Sequence, residues 1–402
     1  MQNTTVKPQF EFVALMASLM SIVALTIDAL LPAISHIGIA INSTDPIRNQ
    51  LLITMIFLGL GLGQLFFGPL SDSYGRKPMV YIGFLIFTLG SIICVFSPNL
   101  EVMIVGRILQ GIGLSAPRTI TISIIRDLYK GDYMAKIMSF VTAFFILVPV
   151  VAPAVGKLAL DNFGWKSIFY IQLFFALVVA IWFWKRQAET LNPAFKIPFT
   201  KSVFLDGLRE FCKYKETVAF TIMSGLITGA FLVYLSASQH IFENQYLLIE
   251  EFPYIFAGLA VSIGLATFLN GTLVLRFGMR KLLFIALAGF CCIGLLYVVL
   301  FWNTPNPSLP ILLVFLALQF FCLGFIWGNL RSVAMEPIGH IAGIGAAING
   351  FVSTLLSIPI ATLIGSYVKT TVLPLFIGLT ICGVLSLGIF MFVKRNSSRV
   401  IA

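Results

Sequence analysis

Asp28 makes the most specific chemical demand in this sequence. It stands in Ala24-Leu-Thr-Ile-Asp28-Ala-Leu-Leu-Pro32, and no other charged residue lies between it and Glu11. A carboxyl in so apolar a run is costly to hold ionised, so it is a candidate for taking up and releasing a proton. Arg107 lies in a second apolar run, Arg107-Ile-Leu-Gln110-Gly111-Ile-Gly113, with Arg118 eleven residues further on. Eleven residues are close to three helical turns, which return Arg118 to nearly the same face as Arg107. Gln110, Gly111, Leu114, Arg118 and Thr121 then form a stripe expected to face a cavity. Arg118 is expected to contact substrate there.

Other chemistry is missing. Gly156-Lys157 is the only Gly-Lys pair, and Leu158 follows it, so the chain carries no phosphate-binding loop for ATP. It has no His-Glu-x-x-His and no water-accessible Ser/His/Asp set. We therefore expect no enzyme activity, no cofactor and no metal. Cys94, Cys212, Cys291, Cys292, Cys322 and Cys382 include no Cys-x-x-Cys and read as reduced packing residues.

The elements that hold these groups are membrane spans. Hydrophobic residues make up 59% of the 402 and charged residues 10%, against about 25% charged in soluble domains. Twelve apolar stretches, each near the ~20 residues that cross a bilayer, fall at 12–34, 50–69, 79–97, 101–123, 135–158, 166–184, 218–240, 253–275, 281–302, 310–330, 342–368 and 372–393. With the N-terminus inside, only Arg48, Lys157, Lys166 and Lys369 of the basic residues fall outside. Arg107 and Arg118 lie within the fourth span, and the remainder, Arg331 among them, fall on the cytoplasmic side. That bias sets orientation, so the net charge of +10 is a topology signal and not a nucleic-acid footprint. At ~1.5 Å per residue, Asp28 lies about 6 Å and Arg107 about 9 Å below the outer surface. At such similar depths, an arginine paired with that carboxyl would be released when the acid takes a proton.

The loop between the second and third spans reads Gly68-Pro-Leu-Ser-Asp72-Ser-Tyr-Gly75-Arg76-Lys77-Pro78. Its glycines permit a sharp turn and close helix approach, its acid can accept charge-assisted bonds, and its bases hold the loop inside. The motif resembles the cytoplasmic signature of the major facilitator superfamily, G-x-x-x-D-x-x-G-R-K/R. A second copy comes about half a chain later. In Gly271-Thr-Leu-Val-Leu-Arg-Phe277-Gly278-Met-Arg280-Lys281, Gly278 answers Gly75, Arg280 answers Lys77, and Leu275 replaces Asp72. The copy is therefore expected to lack an acid. Arg107-x-x-Gln110-Gly111-x-Gly113 resembles a motif of the superfamily's proton-coupled drug exporters. Pro149-Val-Val-Ala152-Pro153-Ala-Val-Gly156-Lys157 resembles their G-P-x-x-G-G signature, departing from it at Ala152 and Lys157. Asp28 with Pro32, and Phe163-Gly-Trp165-Lys-Ser-Ile-Phe169, are similar to the bicyclomycin-resistance branch of these exporters.

The resemblance implies an all-α membrane protein of twelve transmembrane helices in two pseudo-symmetric six-helix bundles. Residues 1–185 would form the first bundle, 186–216 a cytoplasmic linker and 217–402 the second. Ser202 to Tyr214 in the linker would suit a surface-lying amphipathic helix. The implied function is proton-coupled export of drugs or small amphiphiles, with export of a specific metabolite such as a siderophore or an amino acid as the alternative. Partners are small-molecule substrate, protons and the lipid bilayer, with no nucleic acid, for a monomer in the inner membrane with both termini cytoplasmic. Asp28 and Arg107 would couple the proton. Arg118, Gln110, Tyr234, Gln239, Asn329 and Asn349 would meet substrate. Gly68, Asp72, Gly75, Arg76, Lys77, Pro153 and Gly156 would gate, the Asp72–Arg76 loop closing the cytoplasmic side in the outward-open form.

Overall fold

The computed structural model describes residues 9–43, 45–129, 131–193, 196 and 201–400, so residues 1–8 of the first expected bundle and part of the expected linker lie outside the described residues. The regular structure of the described residues is helical, joined by short non-helical connections. The membrane-length helices are α1 (Gln9–Asp28), α2 (Leu51–Tyr74), α3 (Arg76–Val95), α4 (Leu100–Leu128), α5 (Gly131–Phe163), α6 (Lys166–Arg186), α7 (Lys215–Gln239), α8 (Phe252–Phe277), α9 (Met279–Leu300), α10 (Leu309–Met335), α11 (Ala342–Gly365) and α12 (Leu373–Val400). Eleven stretches among the described residues are long and apolar enough to cross a membrane. The 33-residue α5 carries the expected fifth span.

The first span is not the continuous helix expected over 12–34. Pro32 has no N–H to give the Asp28 carbonyl, so the helical ladder breaks there. The chain turns through Ala29 and Leu30, and resumes as a 3₁₀ turn, Leu31–Ala33, and a short helix, Ile34–Ala40. Asp28 is thus the last residue of a helix, inside an apolar stretch that runs on from Phe10 to Ala40.

The two signature copies do form matching turns. Gly75 between α2 and α3 has φ +112°, and Gly278 between α8 and α9 has φ +78°, backbone states that favour glycine. Helix α4 packs closely on both α2 and α3. A Cβ on Gly111 would overlap the backbone of α2 at Ile56, and one on Gly113 would overlap the backbone of α3 at Phe87 and Gly83. The Gly-x-Gly spacing therefore lets one helix touch two neighbours.

Two long contacts join the first six helices to the last six, α2 against α11 and α5 against α8. The expected linker helix is present as Lys201–Lys213. It docks on α11 through Phe211, which clusters with Ile338 and Ile348, while Leu205 and Leu208 stay exposed.

Candidate functional site

Asp28 is buried at the end of α1, and no hydrogen bond or ion pair to it occurs among the described residues. It lies close enough to Tyr234 of α7 for its charge to act there. The Tyr234 hydroxyl is itself buried without a hydrogen-bond partner. An acid from the first six helices and a phenol from the last six therefore lie within electrostatic reach of each other. Tyr234 belongs to an aromatic cluster, with ring centroids 4.6 Å from Phe320 and 6.2 Å from Phe231. Phe231 in turn lies 4.9 Å from Trp327, edge to face.

Arg107 does not pair with Asp28, contrary to expectation. Its fully buried guanidinium donates to the Leu52 carbonyl at 2.8 Å, to the Thr26 carbonyl at 3.3 and 3.4 Å, and to Gln110 Oε1 at 2.7 Å. The broken helix explains this. Thr26 is in the last turn of α1, where carbonyls lack intrahelical donors and the helix dipole is negative. Arg107 fills that demand two residues short of Asp28. The depth estimate placed the two groups at one level, but carbonyls took the arginine.

Gln110 is also reassigned. It is buried completely, accepts from Arg107 and donates to Ser91 Oγ at 2.7 Å. Both partners hold it between α4 and α3, where it orients Arg107 instead of opening to a cavity. Gly156 backs the same region. A Cβ there would overlap the Ala29 carbonyl oxygen, so the glycine lets α5 press against the break in α1. Pro153 is buried within α5.

Ion pairs mark both ends of the bundle. At the signature end, Arg76 reaches Asp72 at 2.5 Å and Asp127 at 2.9 Å, and donates to Ser71 Oγ. The Glu189 carboxylate accepts from the backbone N–H groups of Arg76 and Lys77 at 3.0 and 2.9 Å, capping α3. Lys77 Nζ donates to the Trp184 carbonyl. Gly68 leaves α2 close to Ala347 of α11. Partial burial alone would push the Glu189 carboxyl up, but N–H groups of Leu191, Lys77, Arg76 and Thr190 outweigh it and hold the group below the usual carboxylate range. Asp127 and Glu189 were absent from the sequence expectation. The adjacency of Asp127 to the end of the fourth span was the available signal. The second signature copy holds no acid of its own, and acids from outside the motif serve it instead: Arg280 pairs with Glu216 and, at 3.1 Å, with Glu336. Glu336 caps the end of α10 as Asp127 lies near the end of α4.

At the far end, Lys157 bridges Asp161 at 3.0 Å and Glu250 at 3.1 Å. Gln239 donates to Ser35 Oγ at 3.0 Å and to Glu243 at 2.6 Å. Both Lys157–Glu250 and Gln239–Ser35 join the first six helices to the part of the chain beyond the linker. At the signature end the Arg76 and Arg280 clamps each stay on their own side of that divide. The described polar bridges between the two sets named here thus lie at the far end.

Residues 13–362 match the sequence family described as the Major Facilitator Superfamily. The chain belongs to that superfamily. It is 26% identical to the uncharacterized MFS-type transporter YdgK of Bacillus subtilis, covering 93% of both chains. It is also 26% identical to the bicyclomycin resistance protein homolog of Haemophilus influenzae, covering 97% of this chain and 98% of that one. Its fold is that of a D-xylose-proton symporter, with TM-score 0.74 at 14% identity over 95% and 96% of the two chains.

Within this facilitator, three more expected substrate contacts hold the structure together. Gln239 belongs to the far-end bridges. Asn329 donates to Asn270 at 2.7 Å, joining α10 to α8. Asn349 donates to Thr221 at 3.2 Å, joining α11 to α7. Interhelical bonding of this kind is the common task of an amide inside a membrane bundle. Of the six residues expected to meet substrate, Arg118 has no hydrogen-bond or ion-pair partner among the described residues, and the Tyr234 hydroxyl has no hydrogen-bond partner. A new neighbour appears beside Arg118. Arg331, expected on the cytoplasmic side, lies within α10 and is near enough to act on the charge of Arg118. It stands one residue past the expected end of the tenth span, which is why it read as topology.

Proposed function

We propose that this facilitator is a proton-driven exporter of drug-like or other small amphiphilic compounds in the bacterial inner membrane. Its signature loops and both termini face the cytoplasm, and the two six-helix sets, residues 1–185 and 217–402, rock about the 186–216 linker. One observation carries the reading: a buried carboxyl with no partner among the described residues, Asp28, at a break in α1 and within electrostatic reach of Tyr234 of the other set. The family membership and the bicyclomycin-resistance relative support it.

The described state, bridged at the far end, is then inward-facing. Asp28 gives its proton to the cytoplasmic side here, and cargo enters against the Phe231–Tyr234–Trp327 cluster. After the bundle rocks, Asp28 takes a proton from outside and cargo leaves. The proton acts on the helix break itself. A charged Asp28 adds to the negative end of α1 that Arg107 already satisfies, and a neutral one relaxes it. This replaces the expected release of an Asp28–Arg107 pair. Gly156, where α5 presses on Ala29 at the break, passes the change to α5.

In vesicles with an imposed pH gradient, Asp28→Asn should lose uphill efflux while keeping cargo binding. Uphill transport that survives the substitution sinks the proton reading. Export of one specific metabolite is the second reading, favoured by the fixed charges of Arg118 and Arg331. A compound panel in a host lacking its own pumps separates the two, since a specific exporter protects against one chemical class only.

A further inference from the structure

We infer that Arg118 and Arg331 form a binding site for an anionic group on the cargo, and that Trp327 and Phe231 hold its aromatic body. The cargo class is an aromatic carboxylate or sulfonate. The inference rests on the transporter reading and narrows it to a charge.

The first ground is what these two arginines lack. Arg76 is held by two acids, Arg280 by two acids, and Arg107 by two carbonyls and an amide. Arg118 and Arg331 have no hydrogen bond or ion pair among the described residues. They sit on α4 and α10, from opposite six-helix sets, and are near enough to repel each other. Arg118 is half-buried and Arg331 exposed, so a solute can reach both. Two like charges act on each other with no counter-charge to either among the described residues, an arrangement that an anion relieves. Guanidinium groups suit carboxylate and sulfonate oxygens through paired N–H donors.

The second ground is what lies one turn away. Trp327 precedes Arg331 by four residues, so the two share a face of α10. The Trp327 ring meets Phe231 of α7 at 4.9 Å, and Phe231 meets Phe320 at 5.6 Å. A flat apolar body laid on these rings carries its acidic group toward the arginines. The charge of Asp28 reaches Tyr234, whose ring lies 6.2 Å from Phe231 in the same cluster.

The test uses the purified full chain in detergent, with 2-naphthoate and 2-naphthalenesulfonate as probes and neutral 2-naphthamide as control. Both anions should raise the Tm of the parent protein, and the amide should not. Arg118→Gln and Arg331→Gln should each weaken anion binding by about tenfold or more. Each should also match or exceed the parent Tm without ligand, because repulsion is relieved; an arginine with a structural role would lower it. No anion-dependent shift in the parent, an equal shift from the amide, or a shift that survives in either variant overturns the proposal. Efflux of ethidium from intact cells by the parent protein tests the exporter reading separately. Ethidium efflux without anion binding keeps that reading and removes this one.

Discussion

The two ends of the bundle use the same materials to different ends. At the signature end Arg76 is only 3% exposed and is gripped by Asp72 and Asp127, with Glu189 capping the helix it begins. All of these belong to the first six helices or the segment just after them. At the far end Lys157 is 16% exposed, its partner Glu250 is 77% exposed, and the pair joins the two sets of helices. Burial within one set makes a permanent clamp. A wet pair between sets makes a clasp that can open, because water replaces the lost partner at little cost. The Arg76 clamp of the loop motif is thus held within one six-helix set, while the Lys157–Glu250 pair at the other end crosses between sets. Lys157 is also where the chain departs from the exporter signature in α5, and the clasp accounts for that departure.

The sharpest way to break this comparison is to remove the buried clamp. Arg76→Ala leaves Asp72 and Asp127 without their counter-charge, and loss of one partner from a buried pair costs about 3–5 kcal/mol. Thermal unfolding in detergent should show a large fall in Tm. Arg280→Ala, in the second copy, should cost far less because Arg280 is 46% exposed. Equal losses at the two sites would mean burial does not separate them.

A smaller effect is expected at the clasp. Lys157→Gln should leave Tm nearly unchanged but favour opening of the far end, by up to about fivefold for a pair contributing about 1 kcal/mol. The reading is the rate at which a membrane-impermeant maleimide labels Ser35→Cys in intact cells. The charge-swapped pair Lys157→Glu with Glu250→Lys should return the rate toward the parent's. An unaltered rate in the single variant would show that the clasp does not bear on opening.

The smallest effect concerns Glu189. Its carboxyl titrates lower in the folded chain than the ~4.3 of a free glutamate. Its contribution is therefore present above about pH 4.3 and is lost as pH falls through the lower folded value. Between pH 6 and pH 3 the parent should lose more Tm than Glu189→Gln does. Parallel curves would show that the cap adds nothing that depends on charge.

Much of this was legible in one dimension. Apolar length marks a span wherever it occurs, so the number and order of the helices could be read directly. The turn glycines were legible for the same local reason, since a sharp helix-to-helix turn with positive φ excludes other residues. Asp28 stood out because a lone acid in an apolar run has few explanations. The break after it was signalled by Pro32 but read as a continuous span, because apolar length does not register a missing N–H.

Partner choice was not legible. Arg107 and Asp28 lie at one depth, yet the guanidinium is claimed by Thr26 and Leu52 carbonyls that only the folded crossing of α1, α2 and α4 brings near. Asn329 and Asn349 could have faced cargo or a neighbouring helix, and rotation of α10 and α11 about their own axes decided between them. Arg331 looked like one more inside charge until α10 set it opposite Arg118, more than two hundred residues away in the chain.

By itself the order of residues determined how many times the chain crosses, where it turns and which charges sit in oil, because each depends on a few neighbours in line. Which charge meets which was decided only by tertiary structure. Hydrogen bonds and ion pairs reach about 3 Å, and no local pattern states which distant groups come that close.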